Sequence, residues 1–445
     1  MNAFLNQLMA RAKEAGIEAC EAYIVERDSF KAMVTGGEVV EYNTNATRGL
    51  GFRGIKDGKM GYASTEAFDD DAVEMLVRGV VESAELSEDT DPVFLYDGSE
   101  DVPELTLTND EIAQLDPEVK IARVIEMEKA VKAYDERIDK TARNMVQTGR
   151  HTVRIVNSYG MDRAFTEDIC VMYGQATAKE NGHVATGFYG KGSRSFDLLD
   201  AQKIGSEVGK SAVEQLGATQ IPTGSYRVII HRGAMTDLLE TFCGIFSAET
   251  AHKGLSLLKG RVGEKIAADG VNIIDDPLML AGLEARPFDA EGVPSKAHTL
   301  VENGVFKTFL HNLKTAHKDG VETTGNASKA GYSSAVHVSP SNLYIKAGNK
   351  SFDELVAEMG DGVVITDVAG LHAGANPVSG DFSLLSKGYT VRNGKKEKPI
   401  EQITVAGNFY DLLRNARSMA DDLEFPFGGI GSPSIDVGEI SISGC

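Results

Sequence analysis

No run of apolar residues in this chain approaches the about 20 needed for a helix to cross a bilayer, so a helical membrane protein is excluded. Cysteine is scarce: Cys20, Cys170, Cys243 and Cys445 stand far apart and form no CxxC pair. That excludes a disulfide framework and compact thiolate zinc motifs, and it fits a reducing cytoplasm. Positive charge is in deficit, with 45 basic against 66 acidic residues and a net charge of −21. Such a surface repels phosphate backbones, so no nucleic-acid partner is expected. The densest basic stretch, Lys395, Lys396 and Lys398, follows an Asn-Gly turn and reads as a solvated hairpin tip. The first 16 residues lack an apolar h-region and so do not form a signal peptide. Their Phe4, Leu5, Leu8, Met9 and Ala12 fall at helical spacing instead.

Familiar catalytic signatures are missing too. None of the nine histidines is followed by Glu, which excludes H-E-x-x-H, and there is no G-x-S-x-G nucleophile elbow. Gly49-Leu50-Gly51-Phe52-Arg53-Gly54 matches a dinucleotide fingerprint in form, but a Lys-Asp-Gly turn and another strand follow it rather than a helix. Gly209-Lys210-Ser211 lies inside a helical pattern and lacks the first glycine of a P-loop.

What remains is an ordinary globular composition, 42% hydrophobic and 25% charged over 445 residues, enough for two or three domains at about 150 residues each. The patterning predicts an α+β fold: an N-terminal α/β part of antiparallel meanders and helices, then a β-rich C-terminal domain. Strands are expected over Ala22–Val34, Val39–Tyr42, Gly49–Ile55 and Met60–Ser64, then a helix over Asp70–Ala84. After an acidic connection, a helix from Pro117 to about Arg137 precedes a second meander over Asn144–Gln147, Thr152–Asn157, Ala164–Ala176 and Val184–Tyr189. A helix over Leu198–Leu216 closes this part. Helix–meander–helix thus occurs twice, giving an N-terminal domain of 1–220 with subregions of about 1–90 and 117–220. Ile221-Pro222-Thr223-Gly224 marks the boundary with 221–445. There a strand over Ser225–His231 and a helix from Ala234 to about Thr250 lead into strands and Gly turns.

The densest polar constellation is Gly370 to Ser383. Its glycines allow positive φ and close backbone approach. Gly370, His372, Gly374, Asn376, Ser379, Gly380, Asp381 and Ser383 could hold an extended peptide by strand addition, or the same groups could satisfy their own loop. Composition alone leaves both open.

Several stretches in order resemble the TldD/PmbA family, also called modulators of DNA gyrase. They are Asp237–Gly263 with Ala251-His252-Lys253-Gly254, Ile274-Asp275-Asp276-Pro277, Thr324-Gly325-Asn326-Ala327-Ser328, Leu371–Ser383, Ile403–Asn408 and Ser432-Pro433-Ser434. The resemblance spans essentially the whole chain and is most specific in its C-terminal half. It implies paired subunits of a cytoplasmic metallopeptidase enclosing a cavity. The TldD-like branch carries H-E-x-x-x-H and a further Cys ligand, holding a metal such as zinc that activates water. The corresponding positions here are Glu240, Thr241 and Ile245, with no Cys near 422–432, so this chain resembles the PmbA/TldE branch. The resemblance implies a non-catalytic, peptide-binding subunit that holds no metal or other cofactor, with zinc or a similar metal in a TldD-like metallopeptidase partner, acting on unfolded peptides. It also allows a homodimer. The alternatives are a peptidase whose metal site is built from scattered histidines, and a homodimeric peptide-binding module.

Overall fold

The computed structural model describes residues 1–445. Helix α1 (Asn2–Glu14) leads into strands β1 (Ala19–Thr35), β2 (Glu38–Lys56) and β3 (Lys59–Thr65), then helix α2 (Asp70–Leu86). Asp69 caps α2 by accepting from the Ala72 N–H at 2.9 Å. After the connection come α3 (Asp110–Gln114) and α4 (Pro117–Tyr134), then β4 (Ile138–Asn157), β5 (Asp162–Glu180), β6 (His183–Ser193) and α5 (Ala201–Val213). Pro117 sits in the first turn of α4, where a missing N–H costs nothing.

The two meanders are one sheet, in the order β3-β2-β1-β4-β5-β6. The first strands of the two halves pair with each other, from Glu21 opposite Asn157 to Val34 opposite Asn144. The second half has longer strands than the pattern suggests, because Asn144–Gln147 and Thr152–Asn157 are parts of one strand, β4. Its closing helix begins later than expected, at Ala201, where Asp200 accepts from the Lys203 N–H at 3.0 Å.

Period-two alternation sends the residues of β1 to two cores. Cys20, Ala22 and Ile24 lie under α1 and α2 with Leu8, Leu76 and Val80. Phe30, Ala32 and Val34 continue that face under α4 with Val124 and Met127. Tyr23 and Val25 point the other way, into a cluster with Ile155 of β4 and with Phe288, Ala290 and Ala327 from the C-terminal half.

The C-terminal half begins with β7 (Gly224–Ile230) and helix α6 (Arg232–Phe242). β7 runs parallel to the strand Gly362–Ala369 and antiparallel to Ile435–Ser443, within a second six-stranded sheet. A smaller sheet contains Ile273–Asp275, His298–Glu302 and Leu343–Ile345. The largest core lies here, with Phe242 of α6 stacked on Phe409 at 4.8 Å. Both expected Asn-Gly hairpins form, with Asn303, Gly304, Asn393 and Gly394 all at positive φ.

Two local expectations change. The helix expected from Ala234 to Thr250 breaks at Cys243 into a 3-10 turn, and a new helix starts where the Ser247 hydroxyl accepts from the Thr250 N–H. The glycines of Gly49–Gly54 serve packing: a Cβ on Gly51 would lie 1.9 Å from the Tyr332 carbonyl, so only glycine lets the C-terminal half lie on β2.

The two halves share a buried ion cluster. Arg53 Nε donates to Glu21 Oε1 at 2.8 Å, and Arg53 Nη1 donates to Glu291 Oε1 at 3.4 Å. All three residues are at most 4% exposed. Removing the cation leaves two buried carboxylates facing each other without compensation. Arg53→Met should therefore destabilise the chain by about 3–5 kcal/mol in urea unfolding, whereas a loss under about 1 kcal/mol would show the cluster to be energetically idle.

Candidate functional site

The outward face of the first sheet and the C-terminal half enclose a cleft of about 520 Å³. The odd-numbered face of β1 supplies Tyr23 and Arg27, β4 supplies His151 and Val153, and β5 supplies Phe165 and Glu167. Opposite them stand Glu240, Cys243, the segment 284–290, Ser328, Lys329, the segment 339–341 and the segment 428–430. Phe165 meets Phe288 edge to face at 5.2 Å and closes one wall. A larger hollow of about 770 Å³ lies between segments 106–111, 191–195 and 423–425. Three of its five charged groups are engaged elsewhere, Arg194 with Glu167, Asp110 with Arg150, and Glu424 with Arg232, which leaves Glu111 and Lys191.

The cleft wall is held by buried carboxylates acting as loop organisers. Asp289 Oδ1 accepts from the Glu291 and Val293 N–H groups, and Oδ2 from Ala327 N–H at 2.9 Å. Burial, reinforced by the Glu291 charge, raises the Asp289 pKa. Asp275 accepts from Asn326 Nδ2 at 2.6 Å and from the Ser341 N–H at 2.7 Å. Asp275 and Asn326 come from two of the separate stretches that carry the family resemblance, and here they meet.

Among the reactive lining groups, burial raises the Cys243 thiol to about 12, with the Glu240 charge adding to it. A thiol that stays protonated is a poor nucleophile. Burial lowers the Lys329 ammonium to about 8, with Arg53 adding, and its Nζ lies 4.6 Å from the centre of the Tyr23 ring. Glu167 is shared between Arg194 at 2.9 Å and His151 Nδ1 at 3.2 Å.

Of Glu240, Thr241 and Ile245, the positions that the resemblance sets against the metal motif, the structure brings one to the cleft. Glu240 lines it. The Thr241 hydroxyl donates to the Asp237 carbonyl at 2.8 Å, one turn back in α6. Ile245 is 1% exposed in the core, because the chain leaves α6 for the 3-10 turn before reaching it. Nowhere do three or more His, Cys, Asp or Glu side chains converge as a metal site. The residues present therefore do not fit a catalytic zinc, which needs three protein ligands and an open position. Of the scattered histidines, His252 meets Asp319, His183 meets Glu401 and His317 lies tilted against Phe94, while His298 Nε2 and His311 Nδ1 are buried without a hydrogen-bond partner.

The Gly370–Ser383 loop is elsewhere, and none of its residues lines the cleft. Its polar groups satisfy their own turn. Asn376 Oδ1 accepts from the Val378 and Ser379 N–H groups, Ser379 Oγ from the Asp381 N–H, and Asp381 Oδ1 from Asn408 Nδ2 at 2.9 Å. The strand Asp381–Arg392 pairs along one side with Lys395–Asn408; on the other, Leu385 to Val391 pair with Gly362–Ala369 and Phe382 bridges to Ala375, so the loop's own backbone takes the edge where a peptide strand would add. Gly370 and Gly380 have positive φ, and a Cβ on Gly374 would lie 2.4 Å from the Ser383 carbonyl. These glycines thus serve the loop's own folding, while His372 stays exposed. Sequence reasoning missed Tyr23, Arg27, Glu167, Arg286 and Lys329, and it saw His151 only as one histidine among nine. The available signal was the two-sided alternation of β1.

Helix α6, which carries Glu240, is capped by His231, whose Nδ1 accepts from the Gly233 N–H at 3.5 Å. That role needs a neutral ring. Burial, aided by Arg232, lowers the His231 pKa from 6.5 to about 4. Between those values the folded state binds fewer protons than the unfolded one. The His231 contribution is therefore complete above pH 6.5 and is lost as pH falls toward 4. His231→Asn replaces the Nδ1 acceptor with a capping amide oxygen and removes the titration. Its stability profile, from urea unfolding at pH 4 to 7, should be flatter than that of the wild type, and an unchanged slope would contradict a neutral capping His231.

Comparison with known proteins places this architecture. Family models match along the chain: PmbA/TldA metallopeptidase domain 1 over residues 20–84, the central domain over 110–216 and the C-terminal domain over 223–444. Metalloprotease PmbA of Escherichia coli O157:H7 is 26% identical over 412 residues, covering 92% of this chain and 88% of its own. The crystal structure of a Thermotoga maritima protein described as a modulator of DNA gyrase superposes with a TM-score of 0.93 at 32% identity, covering 99% of this chain and all of its own. TldE from Thermococcus kodakarensis shares the fold, with a TM-score of 0.91 at 23% identity over 99% of this chain and all of its own. With all three domain models matched in order, the chain is a member of the TldD/PmbA metallopeptidase family.

Proposed function

We propose that this chain is the non-catalytic, peptide-binding subunit of a TldD/TldE-type metallopeptidase. It would work with a TldD-like subunit that carries the metal and acts on unfolded polypeptides. The observation that carries this reading is the remodelled metal helix. Glu240 faces the cleft, Thr241 is bonded to its own helix, and Ile245 is in the core. A single carboxylate cannot hold and open a metal for water activation. The cleft itself is retained, with an aromatic wall and converging polar groups suited to an extended peptide. A chamber shared with a partner would admit unfolded chains and exclude folded ones. The four unpaired cysteines and the charge of −21 accord with a reducing cytoplasm and with no nucleic-acid partner. No helix is long and apolar enough to cross a membrane.

Two measurements test this together. The purified chain should contain far less than one zinc per chain by elemental analysis, before and after chelation. Mixed with a TldD-like metalloprotease, it should raise hydrolysis of an unfolded polypeptide well above that of either protein alone. If the isolated chain cleaves that substrate as fast as the mixture, and loses the activity on chelation, it is a peptidase in its own right.

A further inference from the structure

The cleft contains polar atoms that the fold leaves without partners. Arg286 Nε and Nη2 are shielded from solvent and find no acceptor within the chain, and His151 Nε2 likewise has no partner. Both residues line the one cavity. A charged donor left unpaired in a shielded place carries a large desolvation cost, so an orphaned guanidinium edge in a native fold calls for an acceptor. Nε and Nη2 together form the edge of a guanidinium that grips a carboxylate with two parallel bonds.

The neighbouring carboxylates do not supply that acceptor. Arg286 is close enough for its charge to act on Glu284, Asp275 and Asp289. Asp275 is nevertheless bonded to Asn326 and Ser341, and Asp289 to the N–H groups of Glu291, Val293 and Ala327. Arg27 and Lys329 are two further cations of the lining with no carboxylate at ion-pair distance, and the Lys329 ammonium lies over the Tyr23 ring. Glu240 and Glu284 are the lining acids whose side chains make no hydrogen bond. Asp289, bonded only to backbone N–H groups, likewise has no cation at ion-pair distance, so the three free lining cations face three unpaired acids and the charges of the cleft balance, within a chain of net charge −21. The His151 Nδ1 is taken up with Glu167 at 3.2 Å, which leaves Nε2 as a further unpartnered polar atom of the cleft.

We propose that Arg286, supported by Lys329 and Arg27, is a carboxylate-recognition subsite, and that the peptides this chain binds are anchored there by a carboxylate, either the C-terminal group or an Asp or Glu side chain. The proposal rests on the peptide-binding reading above and adds to it the chemical group recognised. Arg286 is a binding residue here, and no bond is made or broken at the site.

The test is calorimetric titration of the full chain with one N-acetylated apolar hexapeptide in three forms: free acid, C-terminal amide, and amide with one internal Glu. The free acid should bind at least tenfold more tightly than the plain amide. Arg286→Gln, checked for folding by thermal melting, should remove that preference while leaving amide binding within about twofold. Arg286→Lys should restore only part of it, because an ammonium cannot make the paired bonds. A Glu-containing amide that matches the free acid shows that the subsite takes either kind of carboxylate, and one that matches the plain amide restricts it to the C-terminus. If all three forms bind the wild type equally, or if folded Arg286→Gln keeps the preference, the subsite is wrong although peptide binding stands. If no form binds, both readings fall. Should Arg286→Gln not fold, Lys329→Gln carries the test, and an unchanged preference in that variant overturns the proposal.

Discussion

Everything in this structure depends on one strand being buried on both faces. β1 lies under helices on its even-numbered side and against the C-terminal half on its odd-numbered side, so residues 19–25 are buried without interruption. The register that satisfies the helices also fixes which side chains meet the other half, because a slip of one residue would exchange the two faces. The Glu21–Arg53–Glu291 cluster enforces that register electrostatically, since three buried charges tolerate only the arrangement in which they meet. Gly51 adds a steric condition, admitting the Tyr332 backbone where any side chain would exclude it. The cleft is the place further along the same interface where apolar contact gives way to polar side chains.

That origin explains the chemistry of the site. Its lining residues were placed by two independent scaffolds, a sheet face and a set of loops organised by Asp275 and Asp289. Rigid supports on both sides suit recognition, since groups held in place lose little entropy on binding. The same rigidity accounts for the fate of the metal-motif positions. A helix that ends at Phe242 and turns Ile245 into the core packs well and cannot present a second ligand one turn on. Cys243, raised to about 12, is likewise a packing residue.

Much of the fold was legible in the sequence because its signals are local. Asn-Gly and Lys-Asp-Gly turns, alternation in the strands and the acidic first turn of α2 lie within a few residues of what they specify, whereas the cap at Asp200 is not read and the helix it starts is placed three residues too early. The merging of two meanders into one sheet was not legible, since pairing of β1 with β4 joins residues more than 100 positions apart. The site was legible only where a helix position could be aligned by resemblance, at Glu240. The Gly370–Ser383 loop drew notice because Asn, Ser, Asp and Gly cluster there, but turns need the same residues for their own hydrogen bonds. Tyr23, His151, Arg286 and Lys329 lie on four distant segments with no shared pattern, and only the tertiary fold collects them.

The central claim is that peptides are held in the cleft between the two halves. Amide hydrogen exchange of the full chain, with and without a saturating N-acetylated apolar peptide bearing a free C-terminus, tests it most directly. The account predicts peptide-dependent protection in segments 23–27, 151–153, 284–290 and 328–329, with the 370–383 loop unchanged. Protection confined to residues 370–383, with the cleft segments exchanging as before, would contradict it.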